Sequence, residues 1–224
     1  MFVQDCFINV HSHCPTPSTS SHITVYNHFI QDPLLPSKDI LFSVGLHPWR
    51  LTVFPKKLLK EKLLEVGATK HCCFIGETGM DKMRGGSMEE QTEIFLIHVA
   101  VAEELKKPLV IHNVKCSEIL IGIKKKYMPQ QPWIFHGFNQ NKTIAKELLQ
   151  QNCRLSFGKS LFNNQGPSSD SFSFISDEGW LLETDAESDI SIEKVYARAS
   201  EIKKISIEKI KEISNKNFNS LFTI

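Results

Sequence analysis

Two histidines two residues apart, His11 and His13, follow a short apolar run in the stretch FINVHSHCP. Residues at i and i+2 of a strand share a face, so both imidazoles can approach one ion. Four more groups close apolar runs in the same way. They are Glu77 in CCFIGET, His112 in LVIH, His136 in WIFH and Asp185 in WLLETD. Buried without partners, each costs on the order of several kcal/mol. A metal removes that cost, because imidazole nitrogen and carboxylate oxygen suit Zn, Mn or Fe, and oxygen-rich sites suit Mg. Six donors exceed the need of one tetrahedral ion, which predicts two divalent ions (Mg, Mn or Zn) bridged by Glu77. Such a pair can clamp a phosphoryl group and sharpen a water molecule. Asp185 is the candidate general base, or the group that orients that water. Contact of His112 or His136 with substrate is the alternative to ligation.

These donors need elements that bring them to one place. Short apolar runs alternate with longer amphipathic ones along the 224 residues. CFINVH, HITVYNHFI, DILFSVGLHPW, KHCCFIGET, PLVIH, PWIFHGF, CRLSFG and GWLLETD read as strands. PKKLLKEKLLEVG, SMEEQTEIFLIHVAVAEELKK, CSEILIGIKKKY and KTIAKELLQQN read as helices, the second capped by Ser87 with Glu90 three residues on. NNQGPSSDS reads as a loop. The C-terminal segment is helical with a break near Ile205, and its apolar spacing suits a helix docked on the surface. The pattern predicts an α/β fold, a TIM-like (β/α)8 barrel in one domain over residues 1–224, with chemistry at the C-terminal strand ends. CPTPSTSS is too short for a crossover helix. The expectation is therefore a barrel distorted by loss of its first helix, with the second run antiparallel or outside the sheet.

Composition narrows the function classes. Twenty-six basic against 25 acidic residues leave a net charge of +1, so nothing in the total advertises a nucleic-acid binder. A local basic rim is invisible in that total. The six cysteines show no C-x-x-C spacing and the chain is long enough to do without staples, which predicts free thiols and a reducing, cytoplasmic setting. Cys14 and Cys116 read as small core residues. No apolar run approaches membrane-spanning length, and a monomer is the simplest expectation.

NVHSH, VGLHPW, IGETGMD, QTEIFLIHVAVAEELKKPLVIH, HGF, LLETDA and NFNSLF, in this order, resemble the TatD-like metal-dependent hydrolases of the amidohydrolase superfamily. The resemblance spans nearly the whole chain. It implies a divalent-metal phosphodiesterase, a deoxyribonuclease, on a TIM-like barrel. His11, His13 and Asp185 would hold one metal, His112 and His136 the second, and Glu77 would bridge them. Asp185 would activate the attacking water. His47 is either a substrate contact at the mouth or a structural turn residue before Pro48. Asn9 stands where the family has an aspartate that would orient His11, and its amide oxygen is expected to accept more weakly there. Cys14 and Pro15 replace a leucine and an aspartate. Val114 replaces an arginine, with Lys115 next to it. The segment after Asp185 lacks the family's proline-rich loop.

These departures lie at the mouth and bear on substrate. Arg50, Lys82, Arg84, Lys115 and Lys159 are the candidate phosphate contacts, Lys115 and Arg50 first. Trp49, Phe138 and Phe162 could stack a base. A small amide, ester or nucleotide substrate on the same site is the alternative, and a binding protein on a decayed enzyme fold is the third reading.

Overall fold

The computed structural model describes residues 4–32, 39–187 and 189–222. Eight strands follow one another round a single parallel sheet in chain order. They are β1 (Phe7–Ser12), β2 (His22–Phe29), β3 (Leu41–Gly45), β4 (Cys72–Asp81), β5 (Leu109–Val114), β6 (Trp133–Phe135), β7 (Cys153–Phe157) and β8 (Trp180–Leu182). The helices are α1 (Lys56–Gly67), α2 (Met88–Leu105), α3 (Ser117–Tyr127), α4 (Lys142–Leu149), α5 (Pro167–Phe174), α6 (Ile192–Lys203) and α7 (Ile207–Ser220). The strands are apolar on both faces because each is covered on both. One cluster of Leu109, Trp133, Leu155 and Trp180 meets the helices, and another holds Ile8, Val25, Val110, Ile134 and Leu181 with Phe218.

The barrel is nearly closed, and its seam joins β1 to β8 at three heights. At the top, Ser12 bridges Asp185, with His13 N–H donating to Asp185 O and Asp185 N–H to His11 O, both at 3.0 Å. In the middle, Asn9 Nδ2 donates to Thr184 Oγ1 at 2.8 Å, and Thr184 N–H donates to Asn9 Oδ1 at 3.0 Å. At the floor, the Asn215 amide donates to Cys6 O and the Asn217 amide to Trp180 O. The C-terminal helix is thus more than a surface helix, since it plugs the bottom of the barrel with Phe218 and Leu221.

Three expectations are corrected. The second run is neither antiparallel nor outside the sheet, because β2 pairs in parallel with both β1 and β3. Residues 13–21 make the return without a helix. A stretched segment of that length reaches about 30 Å, and the six-residue β1 it must descend spans about 20 Å. The polar stretch expected as a loop carries α5, opened by Pro167 at its first position. Its serines turn inward, Ser168 to Phe138 O, Ser169 to Leu161 O and Ser171 to Gln140 O. Cys14 is exposed rather than core, while the other five cysteines are buried, and all six thiols are free. Among the described residues no helix is long and apolar enough to cross a membrane.

Candidate metal centre

Strand parity aims the donors. Val110, Ile134 and Leu181 belong to one buried cluster. The residues two further along each chain path, His112, His136 and Glu183, share their faces, and Asp185 follows two beyond Glu183. All six expected donors meet at the C-terminal end of the barrel. Glu77 lies at their centre, 2% exposed.

The two oxygens of Glu77 face different histidines. Its Oε2 lies 3.5 Å from His11 Nε2 and 3.7 Å from His13 Nε2, and those two nitrogens also sit 3.5 and 3.2 Å from Asp185 Oδ1. Its Oε1 lies 2.9 Å from His112 Nδ1, 2.9 Å from His136 Nε2 and 3.0 Å from His47 Nε2. Burial alone would push the Glu77 carboxyl up, but His136, His11 and His112 outweigh it and hold it well below the ordinary carboxylate range. For Asp185, too, partial burial acts upward and is outweighed by His11 and His13, so its carboxyl is held low. His11 is opposed by burial and by His136, yet Asp185 and Glu77 raise its pKa to about 9.

The donor set fits a divalent cation on an observation independent of residue type. Both ring nitrogens of His11 and both of His136 are buried and make no well-directed hydrogen bond among the described residues, the 2.9 Å approach of His136 Nε2 to Glu77 included. Native interiors leave few such atoms. Close-lying donor groups form around His11, His13 and Asp185, around His11, Glu77 and His136, and around His47, Glu77 and His112.

His47 resolves differently from the ligand candidates. Trp49 N–H donates to its Nδ1 at 3.1 Å. Burial lowers its pKa, Glu77 notwithstanding. A neutral imidazole has one donor and one acceptor, so the proton sits on Nε2, facing Glu77. The turn role is therefore observed, and His47 Nε2–H points into the cluster, 3.3 Å from His112 Nδ1 as its hydrogen-bond partner and 3.0 Å from Glu77 Oε1. Its backbone is set from behind by His98 on α2, whose Nε2 accepts Leu46 N–H at 2.9 Å while Nδ1–H donates to Ile94 O. Full burial lowers the His98 pKa to about 4. The unfolded chain therefore binds the extra proton between pH 6.5 and 4, so stability is complete above 6.5 and is lost as pH falls. Between pH 6.5 and 5 this group contributes a loss of about 2 kcal/mol. His98→Leu should cost about 1–3 kcal/mol at pH 7 by stranding Leu46 N–H and flatten the acid limb of urea midpoints. An unchanged slope would show that His98 is not the titrating group.

Three supporting residues escaped the sequence reading. Asn27 on β2 grips Glu77 twice, Nδ2 donating to Oε2 at 3.2 Å and Oδ1 accepting Glu77 N–H at 3.0 Å. Asp81 places Oδ2 3.3 Å from His112 Nε2, and Glu183 places Oε1 3.6 Å from His136 Nδ1. Carboxylates behind ligating histidines orient the ring and raise its basicity. The signal for Glu183 was its i–2 parity with Asp185, and that for Asp81 its place at the end of IGETGMD. Asn9 does not back His11 as expected, because its amide is spent on Thr184 across the seam.

The donors open on a cavity of about 320 Å³ lined by His13, Phe29, His47, Trp49, Arg50, Glu77, His112, His136, Asp185 and Ala186. Arg50 is therefore at the mouth. Lys115 is exposed beyond β5 and does not line that cavity. Lys159 is paired with Glu187 at 2.7 Å, and Phe138 is buried in the core.

The family model described as TatD related DNase matches residues 34–223. An uncharacterized metal-dependent hydrolase of Bacillus subtilis, YabD, is 27% identical over 203 residues, covering 83% of this chain and 78% of YabD. Among solved structures, the TatD homologue YJJV of Escherichia coli superposes with a TM-score of 0.82 at 17% identity, over 99% of this chain and all of that one. A TatD family hydrolase of Entamoeba histolytica superposes at 0.76 and 14% identity, over 100% of this chain and 99% of that one. At those identities the two structures speak for the fold.

Proposed function

The chain belongs to the TatD related DNase family, and from that membership we propose that this metal-dependent hydrolase cleaves phosphodiester bonds of DNA. The observation that carries the reading is the division of Glu77, one oxygen toward His11 and His13 and the other toward His112 and His136. His11, His13 and Asp185 would hold one ion, His112 and His136 the other, and Glu77 would lie between them. Bound there, two divalent ions would polarise the phosphoryl oxygens and lower the pKa of the attacking water.

The chain's own residues then have distinct tasks. Asp185, partly exposed at the mouth, is ionised and accepts the proton of the attacking water. The water oxygen bonds to phosphorus as the bond to the leaving sugar oxygen breaks, and that oxygen takes a proton from solvent at the open mouth. Asn27 keeps Glu77 from rotating, and His47 Nε2–H steadies His112 Nδ1 beside it. Asp81 steadies His112 from behind, and the Glu183 carboxylate supplies negative charge 3.6 Å from His136 Nδ1.

A substrate panel with Mg²⁺, Mn²⁺ and Zn²⁺ tests the reading. It should show turnover of single-stranded DNA and of a small phosphodiester, with kcat falling about 10²–10⁴-fold in Asp185→Asn. Hydrolysis of amide or carboxylic ester substrates with none of phosphodiesters would overturn it.

A further inference from the structure

The chain has three tryptophans. Trp133 and Trp180 are fully buried, whereas Trp49 is 44% exposed at the rim of the metal-centre cavity. Its indole N–H is held by Asp81 Oδ2 at 2.7 Å, so the exposed ring is fixed in place rather than free to swing. The Arg84 guanidinium lies 4.0 Å over this ring, and the Arg50 guanidinium lies 4.2 Å over Phe29. His47 stands between the two stacks, its ring 4.7 Å from Trp49 and 6.3 Å from Phe29.

The chain's other two arginines are engaged elsewhere, Arg198 with Glu201 and Arg154 with Asn152 and its neighbouring carbonyl. Neither Arg50 nor Arg84 lies within ion-pair distance of a described carboxylate, and both are exposed, so their charges are open to an anion. A guanidinium held over a ring can still direct N–H groups at a phosphate. Its plane and the ring edge beside it offer a flat, rigid surface to a base.

We propose that the Arg84–Trp49 and Arg50–Phe29 stacks form a clamp for single-stranded DNA, the arginines holding phosphates next to the scissile one and the aromatic surfaces receiving unpaired bases. A duplex does not fit this role, because its bases already cover one another's faces. The clamp rests on the phosphodiesterase reading of the adjoining centre. It also places basic contacts that the near-neutral net charge hides, Arg50 on the cavity wall and Arg84 over the Trp49 ring beside it.

The test uses a phosphorothioate oligothymidylate, which resists cleavage, with the Mg²⁺-loaded protein. Binding should quench tryptophan fluorescence, a signal that reports Trp49 because the other two rings are buried. Anisotropy of the labelled oligonucleotide should show Arg84→Lys, which keeps the charge and loses the plane, binding roughly tenfold more weakly. Arg50→Ala and Arg84→Ala should each reduce the slope of log K against log salt by about 0.7. Their KM for the oligonucleotide substrate should rise about tenfold more than their KM for a small diester. Equal affinity and salt slope in all variants, or quenching by duplex alone, would overturn the clamp. Phosphodiester turnover with no clamp signature would remove the clamp and leave the hydrolase reading standing. The clamp signature without turnover of any phosphodiester would do the reverse.

Discussion

Glu77→Gln should lower kcat on a small phosphodiester roughly a thousandfold, equivalent to about 4 kcal/mol of transition-state stabilisation. Glutamine keeps the size of the side chain and one acceptor oxygen. It loses the charge, and it turns an NH₂ group toward one of the two histidine sets. On the Oε1 side that donor would face His47 Nε2, already the proton-bearing nitrogen, within about 3 Å. On the Oε2 side it would face Asn27 Nδ2, also a donor. Either rotamer sets the amide against one donor, and neither restores the negative charge that both histidine sets face. Metal content measured on the purified variant should fall in parallel. A variant within tenfold of the parent activity would show that the centre is elsewhere.

Divalent metal should raise the melting temperature of the chelator-treated protein by about 5–10 °C. At a hundredfold excess over Kd, binding to the native state adds about 2.7 kcal/mol, and a domain of this size gains about 2–4 °C per kcal/mol. The ion finds buried nitrogens of His11 and His136 that make no well-directed hydrogen bond, so binding satisfies atoms that folding left wanting. Protons compete for these nitrogens, and His11 holds its proton to about pH 9 in the metal-free protein. Metal binding must expel that proton, so the temperature shift should grow as pH rises from 6 to 8. His136→Ala and Glu77→Gln should each remove most of the shift. The same shift in both variants would mean that the ion binds some other surface.

The family membership and the barrel support the reading of the chain from its motifs, but the two levels of information are unequal. FINVHSH, LVIH and WIFH each show an apolar run ending in histidine, and a period of two along a strand is a local property. Periodicity therefore exposed the six candidate donors without any tertiary knowledge. It said nothing about β2, because a parallel neighbour without a helix depends on how far residues 13–21 can stretch, a distance in space. It misread the serine-rich α5 for a similar reason. Ser168, Ser169 and Ser171 look polar and exposed in sequence, and only the carbonyls of Phe138, Leu161 and Gln140 make them buried partners.

The sequence by itself determined the alternation of strands and helices, the chemical types of the candidate donors and the strand ends that carry them. Only the tertiary structure decided which histidines meet which oxygen of Glu77, that His47 reaches His112 and Glu77 from the mouth, and that Asn27, Asp81 and Glu183 lie around the candidate centre. It also decided that Asn9 ties the seam to Thr184 instead of backing His11. The physical reason is that a side chain's face follows from its own strand's pleat. The nitrogen it presents, and to whom, follows from the register of eight strands and from the closure that brings β8 against β1.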